Sequence, residues 1–489
     1  MLDWFFNGAL PTAAFVTIEV VLLIVALAVA PRNRRPSSAL AWIILIVVLP
    51  LIGLVLFALI GSPKLPKARR NKQRTMNGRI EERARTIEHV TDTHGSPPWL
   101  APIARLNREM GALPLVDGNS ARLLTHFDEQ LAALVEAIDA AQRTVHVEFY
   151  ILALDDTTRP FFAALEHAVA RGVTVRLLVD HLGSLKYPGF RRARKALTRI
   201  GVDWRLMLPV QPLRGRYQRP DLRNHRKLMV VDGRIGFVGS LNIIDPGYEV
   251  AGNRRRHLRW RDLLARVEGP VVQEVEALFV TDWFSETDQI PGPRTLDAVA
   301  DDDDPTTLLA QIAPSGPAFE SENNLALFNS LLYAAERRIS ITSPYFVPDE
   351  SLLGAILTAA RRGVAVELFV GEIGDQFFVF HAQHSYYDEL LQAGVRIFEY
   401  AAPTILHAKH ISIDDSVSVV GSSNMDIRSF QLDLELMMLI SGRSFTDDLK
   451  AVEDEYRSNS TELTLERWRR RGPFHGFVDG VARLTSAVQ

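Results

Sequence analysis

Two histidines and two lysines in matched settings are the residues of this chain best suited to chemistry. The first set reads His225-x-Lys227-x4-Asp232-x6-Gly239-Ser240-x-Asn242, and the second His407-x-Lys409-x4-Asp414-x6-Gly421-Ser422-x-Asn424. Both cover 17 steps from His to Asn, and they lie 407 − 225 = 182 residues apart. A short motif occurring once is weak evidence, but a motif repeated in register and extended by Gly-Ser-x-Asn is specific. Two imidazoles, two ammonium groups and two Ser/Asn pairs suit a phosphate diester. Lysine and amide donors neutralise the nonbridging oxygens, which assigns Ser240, Asn242, Ser422 and Asn424 to phosphate binding. One histidine attacks phosphorus while the other protonates the departing alcohol, so no metal is required. The attacking imidazole needs a carboxylate on its other N–H, and Asp262 and Glu435, each on an expected strand downstream of its motif, are the candidates.

The elements around the motifs can be read from periodicity. "KLMVVD" and "KHISID" read as strands, with "IGFVGS" and "VSVVGS" as partners across turns at Asp232-Gly233 and Asp414-Asp415. Period two places His225 and Lys227 on one face, and likewise His407 and Lys409. Upstream, strand Arg143–Leu152, helix Thr158–Arg171 and strand Gly172–Asp180 form a βαβ pattern with a largely parallel sheet. The pattern recurs: "ERRISITSPYFVP" matches the first strand, and "ARRGVAVELFVG" matches "ARGVTVRLLVD". Two copies of one unit are expected to pack as a pseudo-symmetric pair, bringing both His-Lys pairs to one point. The expected layout is an N-terminal hairpin over 1–62, a basic segment over 63–110, a first half over 111–289, a linker over 290–317 and a second half over 318–489. The run Asp301–Asp304 is read as solvated linker rather than as a calcium site.

Composition bounds the remaining classes. Of 489 residues, 47% are hydrophobic and 23% charged, so most of the chain should fold. The net charge of 55 − 58 = −3 gives no overall bias toward nucleic acid. The absence of cysteine excludes disulfides, thiolate nucleophiles and cysteine-ligated zinc. Thr12–Ala30 and Ala39–Ile60 are apolar runs that reach the roughly 20 residues of a membrane span. They read as a transmembrane hairpin, since no basic region marks the first as a signal peptide. Three arginines between the runs (Arg32, Arg34, Arg35) face six basic residues after them (Lys64, Lys67, Arg69, Arg70, Lys72, Arg74), which favours a cytoplasmic body.

Those paired HxKx4D motifs resemble the phospholipase D superfamily. The whole chain, through "NHRKLMVVDGRIGFVGSLNI", "LARVEGPVV", "TSPYFVPDESLL", "HSYYDELLQAGVRIFEY" and "LHAKHISIDDSVSVVGSSNMDIRSF", resembles the bacterial cardiolipin synthase family. The resemblance implies an α/β protein of two pseudo-symmetric α/β/α sandwich halves with the active site at their interface. It implies a multi-pass protein of the bacterial plasma membrane that moves a phosphatidyl group from one phosphatidylglycerol to another, through a phosphatidyl-histidine. It gives His225 as nucleophile, His407 as acid/base and Asp262 and Glu435 as their partners, while Asp232 and Asp414 brace the motif turns. Phosphatidylglycerol and membrane lipids are the expected partners, with no cofactor, metal or nucleic acid, and a homo-oligomer is left open. Hydrolysis, another alcohol or lipid acceptor, nuclease activity and a catalytically dead scaffold are the competing readings. His381 and His384 form an HxxH set aside as a metal motif because no third ligand is evident.

Overall fold

The structure is a computed structural model that describes residues 36–61, 64–84, 95–291 and 307–484, with isolated positions between 21 and 29. It divides into a unit of residues up to Leu65 together with Arg219–Asp221, and a body holding the remainder. In the body, the first half orders its strands Val116–Leu124, Leu264–Glu268, Ile235–Gly239, Leu228–Val231, Thr144–Phe149, Thr174–Asp180 and Asp203–Met207. The second half repeats that order as Leu308–Ser315, Asp433–Ser441, Val417–Gly421, His410–Ile413, Arg338–Thr342, Ala365–Gly371 and Arg396–Tyr400. Ser460–Leu463 adds one edge strand to the second half. The two sets join where Val116 opposes Ala310 and Asn119 opposes Leu308, so both halves share one continuous sheet. The expected βαβ units are present: the outer strands run parallel, and helices Arg159–Ala170 and Gly189–Ile200 make the crossovers.

Burial follows the repeat. Val145, Val147, Leu177 and Phe237 pack with Phe161 and Leu165 in the first core. Ile339, Ile341, Leu368 and Val419 pack with Leu352 and Ile356 in the second. Two domain boundaries differ from expectation. Leu308–Ser315 lies within the anticipated linker yet is a fully buried strand beside Asp433–Ser441, because its apolar residues complete the second sheet. Helix Leu100–Gly111, placed in the basic segment, buries Leu100, Ile103 and Ala104 in the second core. The basic flank itself forms helix Lys67–Ala84, where Arg69 pairs with Glu286 at 2.7 Å and Lys72 with Asp288 at 2.7 Å. These cations are therefore met by the body.

The first apolar run falls mostly outside the described residues. The second is not one helix but two, Pro36–Val48 and Pro50–Ile60, separated at Leu49 with φ −134° and ψ 73°. A residue before proline is pushed out of the α region, which places the break. The helices fold back on each other: a Cβ at Gly53 would stand 2.7 Å from the Ile46 Cα, and Trp42 meets Phe57 edge-on at 5.3 Å. At about 1.5 Å per residue, neither reaches the roughly 30 Å of a hydrocarbon core. Among the described residues, no helix is long and apolar enough to cross a membrane.

The motif aspartates sit at the hairpin turns. Asp232 (φ 53°) accepts the backbone N–H groups of Gln142, Arg143 and Thr144, each at 2.7 Å. Asp414 (φ 51°) does the same for Glu336, Arg337 and Arg338 at 3.2, 2.8 and 2.9 Å. Each carboxylate thus pins the start of the neighbouring antiparallel strand. Asp232→Ala should lower the stability of the body by about 1–3 kcal/mol, since bonds to charged acceptors are removed at a partly wet site. Urea unfolding of the variant measures this, and an unchanged midpoint would deny the bracing role.

Candidate active site

Each motif histidine is tied to the opposite half before its ring makes any contact. Arg223–Asn224 runs parallel to Asp433–Leu434, and the His225 N–H donates to the Leu434 carbonyl at 2.8 Å. By the same geometry Arg259–Arg261 runs parallel to Thr404–Leu406, and the His407 N–H donates to the Arg261 carbonyl at 2.8 Å. The next residue on each opposing strand carries the carboxylate. His225 Nδ1 meets Glu435 Oε1 at 2.9 Å, and His407 Nδ1 meets Asp262 Oδ1 at 2.6 Å. The sequence offered both acids without saying which served which ring, and the pairing is crossed. With Nδ1 occupied, Nε2 is the nitrogen left for chemistry on each ring. Gly239 and Gly421 permit this assembly: a Cβ would fall 2.3 Å from the Leu263 carbonyl oxygen and 2.2 Å from that of Leu436.

The serines orient the carboxylates. Ser240 Oγ donates to Asp262 Oδ1 at 2.7 Å and accepts from the Leu263 N–H at 3.0 Å. Ser422 Oγ donates to Glu435 Oε2 and accepts from the Leu436 N–H at 3.0 Å. Their hydroxyl hydrogens are thus committed within the protein, which corrects the expectation that both serines face a phosphate. Asn242 is also engaged, donating to the Tyr248 hydroxyl at 2.8 Å and accepting from the Ile151 N–H at 3.1 Å. Asn424 differs: its Oδ1 is buried without a hydrogen-bond partner among the described residues. Lys227 and Lys409 each donate to the carbonyl of their own histidine, at 2.6 and 2.5 Å. Asp232 and Asp414 lie beyond the far ends of the motif strands and do not join this group.

Burial dominates the titration of the cluster. It pushes the His225 imidazole well below the usual range, helped by the charges of Lys227, Lys409 and His407. It also lowers His407, together with Lys409, while Asp262 pulls back the other way. For Asp262, burial is outweighed by His407, Lys409 and the Ser240 hydroxyl, so the carboxyl stays below its ordinary value. Glu435 is raised by burial to about 7. Burial brings Lys227 down to about 8 and Lys409 to about 7. Sequence reasoning missed Tyr150, whose ring stands edge-on to His225 at 4.9 Å and 5.2 Å from Lys227 Nζ. Its one signal was an aromatic residue closing the strand "HVEFY".

The HxxH gains a third candidate ligand from the C-terminal helix. His381, His384 and Asp479 offer ligand atoms within 4.8 Å of one another. Asp479 is already held by His381 Nδ1 at 2.7 Å and by Arg471 at 2.8 Å. For the main site, the lysine values carry a pH dependence. An ammonium is charged below its pKa, so kcat/KM should fall as pH rises through about 7 to 8. A pH–rate profile measures this, and a flat profile between pH 7 and 9 would remove the lysines from charge stabilisation.

Comparison with known proteins agrees with the repeat. The family described as cardiolipin synthase, PLD-like domain, matches residues 134–283 and 328–455, and the phospholipase D-nuclease N-terminal family matches residues 21–62. Cardiolipin synthase A of Yersinia pseudotuberculosis serotype O:1b is 33% identical over 458 residues, covering 92% of this chain and 93% of that one. The Yersinia pestis protein of the same name matches equally. The crystal structure of phosphatidylserine synthase from Haemophilus influenzae Rd KW20 superposes with a TM-score of 0.59 at 14% identity, covering 79% of this chain and all of that one. That likeness shows a shared fold. With matching family domains, near full-length similarity and two motif halves joined in one site, the chain belongs to the cardiolipin synthase family of phospholipase D-like proteins.

Proposed function

We propose that this protein is a phosphatidyltransferase that makes cardiolipin from two molecules of phosphatidylglycerol. The crossed pairing of His225 with Glu435 and His407 with Asp262 carries the reading, because it supplies two unlike imidazoles beside two lysines. His225, held neutral by burial and neighbouring cations, is the nucleophile. Its Nε2 forms a bond to phosphorus as the bond to the glycerol oxygen breaks. His407, supported by the ionised Asp262, gives its proton to that oxygen and glycerol leaves. The hydroxyl of a second phosphatidylglycerol then passes its proton to His407 and attacks phosphorus, releasing His225. Lys227, Lys409 and Asn424 steady the charge on the nonbridging oxygens. Asp262 and Glu435 act through the histidines and are positioning residues.

The substrate places the work at a bilayer. The apolar N-terminal residues, including the two short helices, are read as the part that holds the chain there, with the body on the cytoplasmic side.

Three measurements test the reading. Purified protein in mixed micelles with phosphatidylglycerol should yield cardiolipin and free glycerol; phosphatidic acid alone would establish hydrolysis instead. His225→Ala and His407→Ala should each lower turnover by at least about a thousandfold, as loss of a nucleophile or its proton partner does. Acid-quenched His407→Ala should carry a trapped phosphatidyl adduct that His225→Ala lacks. The reverse pattern would exchange the two roles.

A further inference from the structure

The C-terminal helix Pro473–Leu484 is amphipathic in the reverse sense. Its apolar residues Phe474, Phe477, Val481 and Leu484 fall at spacings of three, four and three, which aligns them along one face. That face is turned outward, with exposures of 72%, 69%, 44% and 83%. The opposite face buries Asp479 and Ala482. The supporting element is helix Phe377–His384, whose His381 holds Asp479 and whose own Phe377 and Phe378 are exposed. A surface helix ordinarily turns its apolar stripe to the core, so a stripe displayed outward marks a contact surface.

Two observations indicate what covers it. The first is charge: the short helix Leu465–Arg469 and the residue after it carry exposed Arg467, Arg469 and Arg470 directly before the stripe, with Arg469 paired to Asp388 and Arg470 to Glu466 at the surface. An exposed apolar stripe preceded by exposed arginines suits the headgroup layer of an anionic bilayer, where weak surface ion pairs exchange for lipid phosphates. The second is position. Phe380 and Gln383 of the supporting helix line a cleft together with Tyr345 and Leu406, and Leu406 precedes His407. The supporting helix therefore reaches the strand Thr404–Leu406 that leads into His407.

We propose that the Phe474–Leu484 face, with Phe377 and Phe378, is a bilayer-docking surface that beds the second half of the body into anionic phospholipid beside the active site. The docking is separate from the N-terminal apolar segment, and it rests on the reading that the substrate is a membrane phospholipid. The exposed Arg467, Arg469 and Arg470 meet the headgroups, and the phenylalanines enter the boundary with the acyl chains. A lipid then reaches the histidines without leaving the layer. Asp479, held inward by His381 and Arg471, fixes the roll of the helix so that its apolar face stays outward.

The absence of native cysteine makes the test direct. Full-length Phe477→Cys, Val481→Cys and, as a control on an outer helix of the first half, Glu136→Cys are labelled with an environment-sensitive fluorophore. Each is reconstituted in phosphatidylglycerol/phosphatidylethanolamine vesicles, with and without brominated acyl chains. Brominated lipid should quench positions 477 and 481 at least about twofold and leave 136 unchanged, as expected for a helix at the acyl boundary. A fluorophore at 477 that stays open to aqueous iodide would overturn the proposal. A blue-shifted but unquenched signal would overturn it too, showing the stripe covered by a second copy or by other residues of this chain. Cardiolipin formation is assayed on the same samples, so failed docking with intact synthesis refutes this surface alone. Phe474→Ser/Phe477→Ser should lose at least about tenfold in rate on vesicles while keeping its rate on monomeric short-chain phosphatidylglycerol. An equal loss on both substrates would indicate a folding defect and count against docking.

Discussion

Two backbone hydrogen bonds, His225 to Leu434 and His407 to Arg261, hold the site in its only working register. Each ties a histidine's peptide to the other half, one residue before the carboxylate that its ring requires. A single step of slip on either strand would turn that carboxylate to the opposite face, because side chains alternate along extended chain. Both halves must therefore be folded and docked before either imidazole has its partner. The continuous sheet through Val116 and Ala310 supplies the rigid frame for that docking.

The same crossing makes the two rings unlike. Both are buried beside the same pair of lysines, and burial penalises every positive charge present. Asp262 keeps its charge and offsets part of the penalty for His407, whereas Glu435 is lifted toward neutrality and leaves His225 the poorer proton acceptor. Nucleophile and acid can thus differ although their motifs are nearly identical in sequence. The lysines stand close to losing their own protons, a state an anionic phosphate would reverse by supplying the missing countercharge.

Surface and site meet in the second half. Helix Phe377–His384 presents aromatic rings outward, holds the C-terminal helix through His381 and Asp479, and contributes to the cleft beside Leu406. One short helix thus links an outward apolar stripe to the strand that enters His407. Within the HxxH, His381 fastens the C-terminal helix through Asp479.

The repeat, the βαβ units, the hairpin strands and the six motif residues were legible in the sequence, because each depends on local spacing: period two for strands, Gly and Asp at turns. Asp262 and Glu435 were visible as candidates for the same reason. Their crossed assignment was not, since it depends on pairing between Arg223–Asn224 and Asp433–Leu434, strands some 210 residues apart. Ser240 and Ser422 misled because a polar residue near a motif has no address until its hydrogen bonds are known; the fold gave their hydroxyl hydrogens to Asp262 and Glu435. Tyr150 was invisible because any strand end can carry an aromatic residue. The strand Leu308–Ser315 hid in a proline-bearing stretch, and the break at Pro50 in an apolar run, because hydropathy counts residues without regard to backbone direction. Local chemistry was written in the chain; which half answers the other was settled only by tertiary packing, since one backbone hydrogen bond on each side fixes it.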